Sequence, residues 1–268
     1  MPRRLRLDTE LVRRGLARSR EHASDLIAQG RVTVGGSPAT KAATGVSTDA
    51  AVVVTPAADS VDYVSRGGRK LAGAIACFRP NGLVIEGRTA LDAGASTGGF
   101  TDVLLREAAA SVTAVDVGYG QLAWSLRQDT RVTVLDRTNV RDLTRELVPT
   151  PPELVVGDLS FISLTLVLGA LVRVAEPDAD LILMVKPQFE VGRDLLGKGG
   201  VVRDPGQRVA AVLDVAAAAA AEGLGVRSVC ASPLPGPAGN VEYFVWFRRG
   251  APQLVPADVA RVVSEGPQ

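Results

Sequence analysis

The chain has 268 residues, 46% of them hydrophobic, with 30 basic against 29 acidic side chains and a formal net charge of +1. That length buries a substantial core and accommodates one large domain beside a small one. Only Cys77 and Cys230 are present, too few and too distant in sequence for a disulfide framework or a thiolate metal cluster, which suits a reduced, cytoplasmic setting without a bound metal. No charged segment followed by an apolar one opens the chain, and the alanine-rich run 209–221 is broken by Asp214, so neither a secretion signal nor stable membrane insertion is expected.

Charge is unevenly spread. Residues 1–31 hold eight arginines and four acids, a local +4 that leaves −3 for the remainder and suits contact with a polyanion. Within residues 9–17, Leu11, Val12 and Leu16 share one helical face. Ser19 can cap a second helix whose Ala23, Leu26 and Ile27 recur at helical spacing, and Gly30 closes it. Residues 31–34 alternate as a strand, Gly35 and Gly36 form a two-residue hairpin turn, and residues 51–54 supply another β segment. Residues 4–55 therefore read as a small helix-helix-strand unit with a thin core. The aperiodic stretch 55–65 follows as a linker.

Beyond the linker, apolar strand candidates at 90–92, 112–116, 132–135, 154–158 and 181–186 alternate with helical stretches, which predicts an α/β domain with a mostly parallel, doubly wound sheet. The last two, 226–232 and 241–247, are joined by a Pro/Gly-rich loop, so they form a hairpin that makes one strand antiparallel. After the first of these strands comes DAGASTGGF (92–100), a glycine turn that lets a ligand approach the backbone, and Asp116 ends the next strand, where an acid binds ribose hydroxyls. The glycine turn alone is weak, since many such turns are purely structural; the acid placed one strand later is what points to a nucleotide-like cofactor. Asp92, Asp116, Asp158 and Lys186 all fall at carboxyl ends of predicted parallel strands and should share one rim.

Six stretches carry a family likeness over nearly the whole chain: RLDTELV (6–12) with Ser19, Arg20 and GRVTVGG (30–36); SRGGRK (65–70); DVGYGQLAW (116–124); DLSFIS (158–163); VKPQFE (185–190); and PGPAGNVE (235–242). With these the chain resembles the TlyA-type ribosomal RNA 2′-O-methyltransferases, a family often labelled hemolysin A. The resemblance implies an RNA-binding domain similar to ribosomal protein S4 over residues 1–60, a linker at 61–64, and a class I methyltransferase domain with a Rossmann-like sheet over 65–268. It implies S-adenosyl-L-methionine as cofactor, held by Asp92, Gly94, Ala95, Ser96, Gly98, Gly99, Asp116, Val117 and Asp158, with Asp136 and Arg137 beside the adenine. It implies a catalytic set of Lys70, Asp158, Lys186 and Glu242, and RNA contacts from Arg4, Arg6, Arg14, Arg18, Arg20 and Arg66. The family's partners are 16S and 23S ribosomal RNA within the subunits, met by a monomer, and loss of the methyl group gives resistance to capreomycin-like antibiotics. The helical tail at 257–264 suggests the form that acts on both subunits. Where some relatives carry a tryptophan in the linker, this chain has Tyr63.

Residue chemistry narrows the reaction. The one histidine, His22, lies in the first unit and reads as a helix-surface or RNA-contacting residue. Cys77 and Cys230 fall in apolar helix and strand patterns and read as core residues, which disfavours methylation through a covalent thiol adduct. Methylation of an exocyclic amine usually employs an Asp/Asn-Pro-Pro-aromatic turn after the fourth strand, and DLSF (158–161) stands there instead. Oxygen is the expected acceptor. A lysine is a poor base near its ordinary value of about 10.4 but a better one when buried or beside another ammonium, so Lys186 is the candidate base or hydroxyl-orienting group. Phe100 reads as core, and the glycine-rich loop 192–200 as a cover for acceptor RNA or a plain surface loop. Two other functions, a pore-forming hemolysin and a non-catalytic ribosome-binding factor, would leave the rim residues without a role.

Overall fold

The computed structural model describes residues 4–55, 61–192, 196–197 and 199–267, in two compact units, Met1–Arg66 and Gly67–Gln268. The first unit contains β1 (Arg4–Arg6), α1 (Leu7–Arg13), α2 (Arg20–Ala28), β2 (Val32–Val34), β3 (Ser37–Pro38), β4 (Gly45–Ser47) and β5 (Val52–Val54). Ser19 caps α2 as expected, its Oγ accepting from the His22 amide at 3.1 Å. Gly35 and Gly36 both adopt left-handed backbone (φ 57° and 83°), the conformation a two-residue turn needs, so Val34 pairs with Ser37. The pairing of β1 with β4 has no counterpart in the sequence reading, because three-residue strands are too short to establish a period. Leu7, Leu11, Ala23, Leu26, Ile27 and Val32 form most of this unit's small core.

Two buried carboxylates supplement that core. Asp8 accepts hydrogen bonds from Arg6 at 2.9 Å and Arg20 at 3.0 Å, while Glu10 accepts from Arg13 at 2.6 Å and Arg14 at 2.7 Å. Bonding to Arg6 above all holds the Asp8 carboxyl far below the usual carboxylate range, and bonding to Arg13 lowers Glu10 to about 2.

The second unit contains α3 (Arg66–Phe78, whose first residue belongs to the first unit), β6 (Thr89–Ala93), α4 (Gly99–Arg106), β7 (Ser111–Val115), α5 (Trp124–Arg127), β8 (Val132–Leu135), β9 (Leu154–Gly157), α6 (Leu168–Val174), β10 (Asp180–Val185), α7 (Pro187–Glu190), α8 (Pro205–Ala221), β11 (Leu224–Ala231), β12 (Tyr243–Arg249) and α9 (Pro256–Glu265). Among the described residues its sheet has seven strands, in the order β11-β12-β10-β9-β6-β7-β8. The five strands β10, β9, β6, β7 and β8 run parallel, and β12 is antiparallel to both neighbours, β10 and β11. One reversed strand is what the Pro/Gly-rich final loop implied. Every residue of β9 and β10 is buried, as in a parallel sheet covered on both faces.

The chain winds from β6 to β7 and β8 on one side, then returns to place β9 against the other side of β6. Ligands of such sheets collect outside the strand ends at this switch. Gly98 (φ 97°) opens α4, and a Cβ there would lie 2.3 Å from Leu126 Cδ1 and 2.8 Å from Leu122 Cδ1, so close packing as well as backbone freedom requires glycine. Phe100 is core, its ring 6.0 Å from that of Phe244. The linker reading at 55–65 lies partly outside the described residues, at 56–60, as does the loop reading at 192–200, at 193–195 and 198.

Candidate active site

A cavity of about 990 Å³ opens at the switch point, lined by Gly94, Ser96, Asp116, Val117, Asp158 and Gln188 among others. Gly94 (φ 86°) closes its floor, where a Cβ would stand 3.0 Å from both the Asp158 carbonyl oxygen and Leu159 Cδ2. Asp116 receives the amides of Ser96 at 2.8 Å and Gly118 at 2.7 Å, one carboxylate oxygen each, which fixes the carboxylate while leaving acceptor capacity for a ligand. Val117 is 69% exposed beside it, an apolar face suited to a flat ring.

Asp92 lies beneath this loop, fully buried. Its Oδ2 accepts from Thr101 Oγ1 at 2.7 Å and its Oδ1 has no hydrogen-bond partner among the described residues. Burial, against the Thr101 hydrogen bond, pushes the carboxyl up to about 7.

The four residues of the expected catalytic set occur as two lysine–carboxylate pairs. Lys70, on α3, reaches Glu242 Oε2 at 2.5 Å, and both side chains are buried. Lys186 follows β10 and stands 2.6 Å from Asp158 Oδ1, which follows β9. That approach is an ion pair by distance without hydrogen-bond alignment, and the ammonium donates instead to Ser160 Oγ at 2.8 Å. Glu242 reaches this rim because β12 is reversed, so the residue before it stands level with residues that follow the parallel strands.

Gln188 was not anticipated from the sequence. It follows Pro187, which starts α7, and its Nε2 donates to Glu242 Oε1 at 3.3 Å. Glu190, one turn end later, accepts from Ser163 Oγ at 2.5 Å and from the Leu164 amide at 2.9 Å, and so ties the loops after β9 and β10 together. Its carboxyl is pushed up by burial. Among the described residues, Ser96, Arg137 and Phe161 are non-glycine residues with left-handed backbone in or near this region (φ 48°, 54° and 64°), a strain that collects at sites of function.

Several expected positions fall elsewhere. Ala95, Gly98 and Gly99 shape the loop without lining the cavity, and neither Asp136 nor Arg137 lines it; Asn139, Val140 and Arg141 do. The Asp136 carboxylate is taken by Arg127, and the Arg137 guanidinium stacks 4.4 Å from the Tyr119 ring centre. Cys77 is exposed, not core, whereas Cys230 is buried. His22 is mostly covered; its Nδ1 accepts the Arg18 amide at 3.1 Å and its Nε2 lies 3.5 Å from Asp62. Arg14 is committed within its own unit to Glu10 and to the carbonyls of Thr48 and Ala50, and Arg4 donates to the Gly45 carbonyl. Arg18 engages Asp62 and the Tyr63 carbonyl. Arg6 and Arg20 share Asp8 yet stay more than half exposed, so they form the more available cationic pair.

A doubly wound sheet with its penultimate position reversed, a nucleotide-sized cavity at the switch and lysine–carboxylate pairs on the rim define a class I methyltransferase domain. The FtsJ-like methyltransferase family matches residues 63–249, and the S4 domain matches residues 5–52. The 16S/23S rRNA (cytidine-2′-O)-methyltransferase TlyA of Mycobacterium tuberculosis is 54% identical over the full length of both chains. Hemolysin A of Brachyspira hyodysenteriae is 36% identical, over 91% of this chain and 99% of its own. A solved structure from Streptococcus thermophilus, carrying a provisional hemolysin name, superposes with a TM-score of 0.78 at 36% identity, over 99% of this chain and 96% of its own. The chain therefore belongs to the FtsJ-like methyltransferases, in their TlyA branch. No helix among the described residues is long and apolar enough to cross a membrane.

Proposed function

We propose that the protein methylates a ribose 2′-hydroxyl of a cytidine in ribosomal RNA, with S-adenosylmethionine as donor and the S4-like unit, residues 1–60, as the RNA-docking part. The observation that carries this is the pairing of Lys186 with Asp158, which lines the Asp116 cavity, and of Lys70 with Glu242, which bonds the cavity-lining Gln188. The activity named for the 54% identical relative supports the substrate.

The residues fit the cofactor. Asp116 would hold its ribose hydroxyls, Val117 and Val140 would flank its adenine, and the Gly94–Ser96 backbone would receive its amino-acid end. When bound, it supplies a methyl group on a positively charged sulfur, which is open to attack by oxygen.

Lys186 orients the acceptor hydroxyl and, once its own ammonium has released a proton to solvent, takes the hydroxyl proton as neutral amine while the oxygen–carbon bond forms and the carbon–sulfur bond breaks. Asp158 and Ser160 fix the amine; Lys70 fixes Glu242 on the far side of the acceptor ribose. Positioning of these groups, with no covalent intermediate on the protein, provides the acceleration. Such an enzyme works in the cytoplasm, where ribosomal subunits are.

The test is transfer of a labelled methyl group to separated small and large ribosomal subunits that lack the modification, with the product mapped by primer extension sensitive to 2′-O-methylation. A labelled ribose on either subunit, lost in Lys186→Ala while cofactor binding persists, is expected. No labelled ribose on either subunit, or full transfer by Lys186→Ala, overturns the reading.

A further inference from the structure

Gln188 lines the cavity and carries an acceptor that no group among the described residues uses. Glu242, ion-paired with Lys70, can only accept hydrogen bonds, so the Gln188 amide must turn its NH2 toward that carboxylate. This orientation aims the carbonyl oxygen the other way, and there it is buried with no hydrogen-bond partner among the described residues. Buried acceptors in folded proteins are nearly always satisfied, so an orphan beside a reaction centre calls for a donor that arrives with the ligand.

The location decides which ligand. Gln188 follows β10, two strands from β6 and its glycine loop, roughly 10 Å across the sheet. That separation puts the amide on the acceptor's side of the cavity, away from the cofactor loop. Its neighbours there are aromatic: Phe189 and Phe161 line the same cavity with ring centres 5.3 Å apart, and Phe161 is 92% exposed. A partly apolar wall with a few directional polar groups is the usual makeup of a site that accepts and then reads an unstacked base.

The acceptor hydroxyl cannot fill the vacancy at the carbonyl, since its one proton is surrendered during the reaction. Cytosine offers a lasting donor in its exocyclic amine, whereas uracil of nearly the same shape places a carbonyl oxygen at that position.

Resting on the reading that a cytidine ribose is methylated, we propose that Gln188 is the specificity-determining residue for the acceptor base, its carbonyl oxygen accepting a hydrogen bond from the cytosine amine. The same amide, through its NH2, holds Glu242 in place, so recognition of the base and alignment of the carboxylate are joined in one side chain.

The experiment uses the full-length protein and reconstituted subunits that carry cytidine, uridine or a 4-desamino pyrimidinone at the mapped nucleotide. The wild-type enzyme is expected to prefer cytidine by at least about tenfold over both analogues. Gln188→Leu is expected to lose about tenfold on cytidine, to show little further loss on the pyrimidinone, and to keep its KM for S-adenosylmethionine. An active wild-type enzyme that treats cytidine and the pyrimidinone alike overturns the proposal, whatever the variant does. So does a Gln188→Leu enzyme with an unchanged cytidine preference, or one whose only defect is a raised cofactor KM. Failure of the wild-type enzyme on every substrate would instead count against the methyltransferase reading itself.

Discussion

Replacing Asp92 by Asn should make the protein's stability less dependent on pH, in one definite direction. The carboxyl is buried, is hydrogen-bonded by Thr101, and titrates at about 7 in the folded protein against 3.8 when exposed. Between those values the folded state holds a proton that the unfolded state has released, so the Asp92 contribution to stability declines as pH rises through the window and levels off above it. At 1.36 kcal/mol per unit the full decline is about 4 kcal/mol, of which about 3 kcal/mol falls between pH 5 and pH 8. Asn has the same shape, can accept from Thr101 and does not titrate. Urea unfolding of wild type and Asp92→Asn at both pH values is therefore expected to show the variant gaining about 3 kcal/mol relative to wild type on going from pH 5 to pH 8. Parallel stability profiles for the two proteins would refute the argument that burial governs this carboxyl.

Truncating Lys70 to Ala strands the buried Glu242 carboxylate and should cost about 3–5 kcal/mol of stability, read from the urea midpoint, with Lys70→Ala/Glu242→Leu recovering part of the loss. Gly98→Ala should destabilise by about 1–3 kcal/mol, because the new methyl group meets Leu122 and Leu126 in a backbone conformation that disfavours it; an unchanged melting temperature would contradict this. In the first unit, Asp8 and Glu10 are held ionised by arginines, so their stabilisation is complete above the ordinary carboxylate range and is lost as pH falls below about 4 toward the lowered value of about 2 for Glu10. Amide exchange in α1 and α2 should accelerate at pH 3 relative to pH 6 by more than the intrinsic rate does, and Glu10→Gln should speed exchange at pH 6.

The parallel sheet and its one reversed strand could be read from the sequence because buried strands are short apolar runs and a Pro/Gly-rich loop is a poor crossover. The Asp116 position was legible for a similar reason: a residue at a strand end is placed by the strand itself. Asp136 and Arg137 follow a strand too, yet Arg127 and Tyr119 engage their side chains, and the cavity wall passes to Asn139–Arg141. Such competition among side chains leaves no periodic trace. The arginines of the first unit show the same limit. Composition revealed a basic surplus, but only folding reveals that Asp8 and Glu10 are buried and draw Arg14 inward while leaving Arg6 and Arg20 outward. Cys77 was misread because an apolar pattern does not define the edge of the buried stripe. Gln188 carries no signal beyond its position between Lys186 and Glu190, since an amide becomes informative only when its neighbour fixes which end faces where.

The reversed strand β12 also sets the order in which the protein becomes competent. It lies between β10 and β11, and the loop before it delivers Glu242 to a lysine 172 positions earlier in the chain. A growing polypeptide can fold its first unit and begin pairing the parallel strands, but the rim is unfinished until this late segment has emerged and inserted itself. On the proposed function, the nascent chain is inert toward the ribosome that is making it until β12 and the loop before it have emerged.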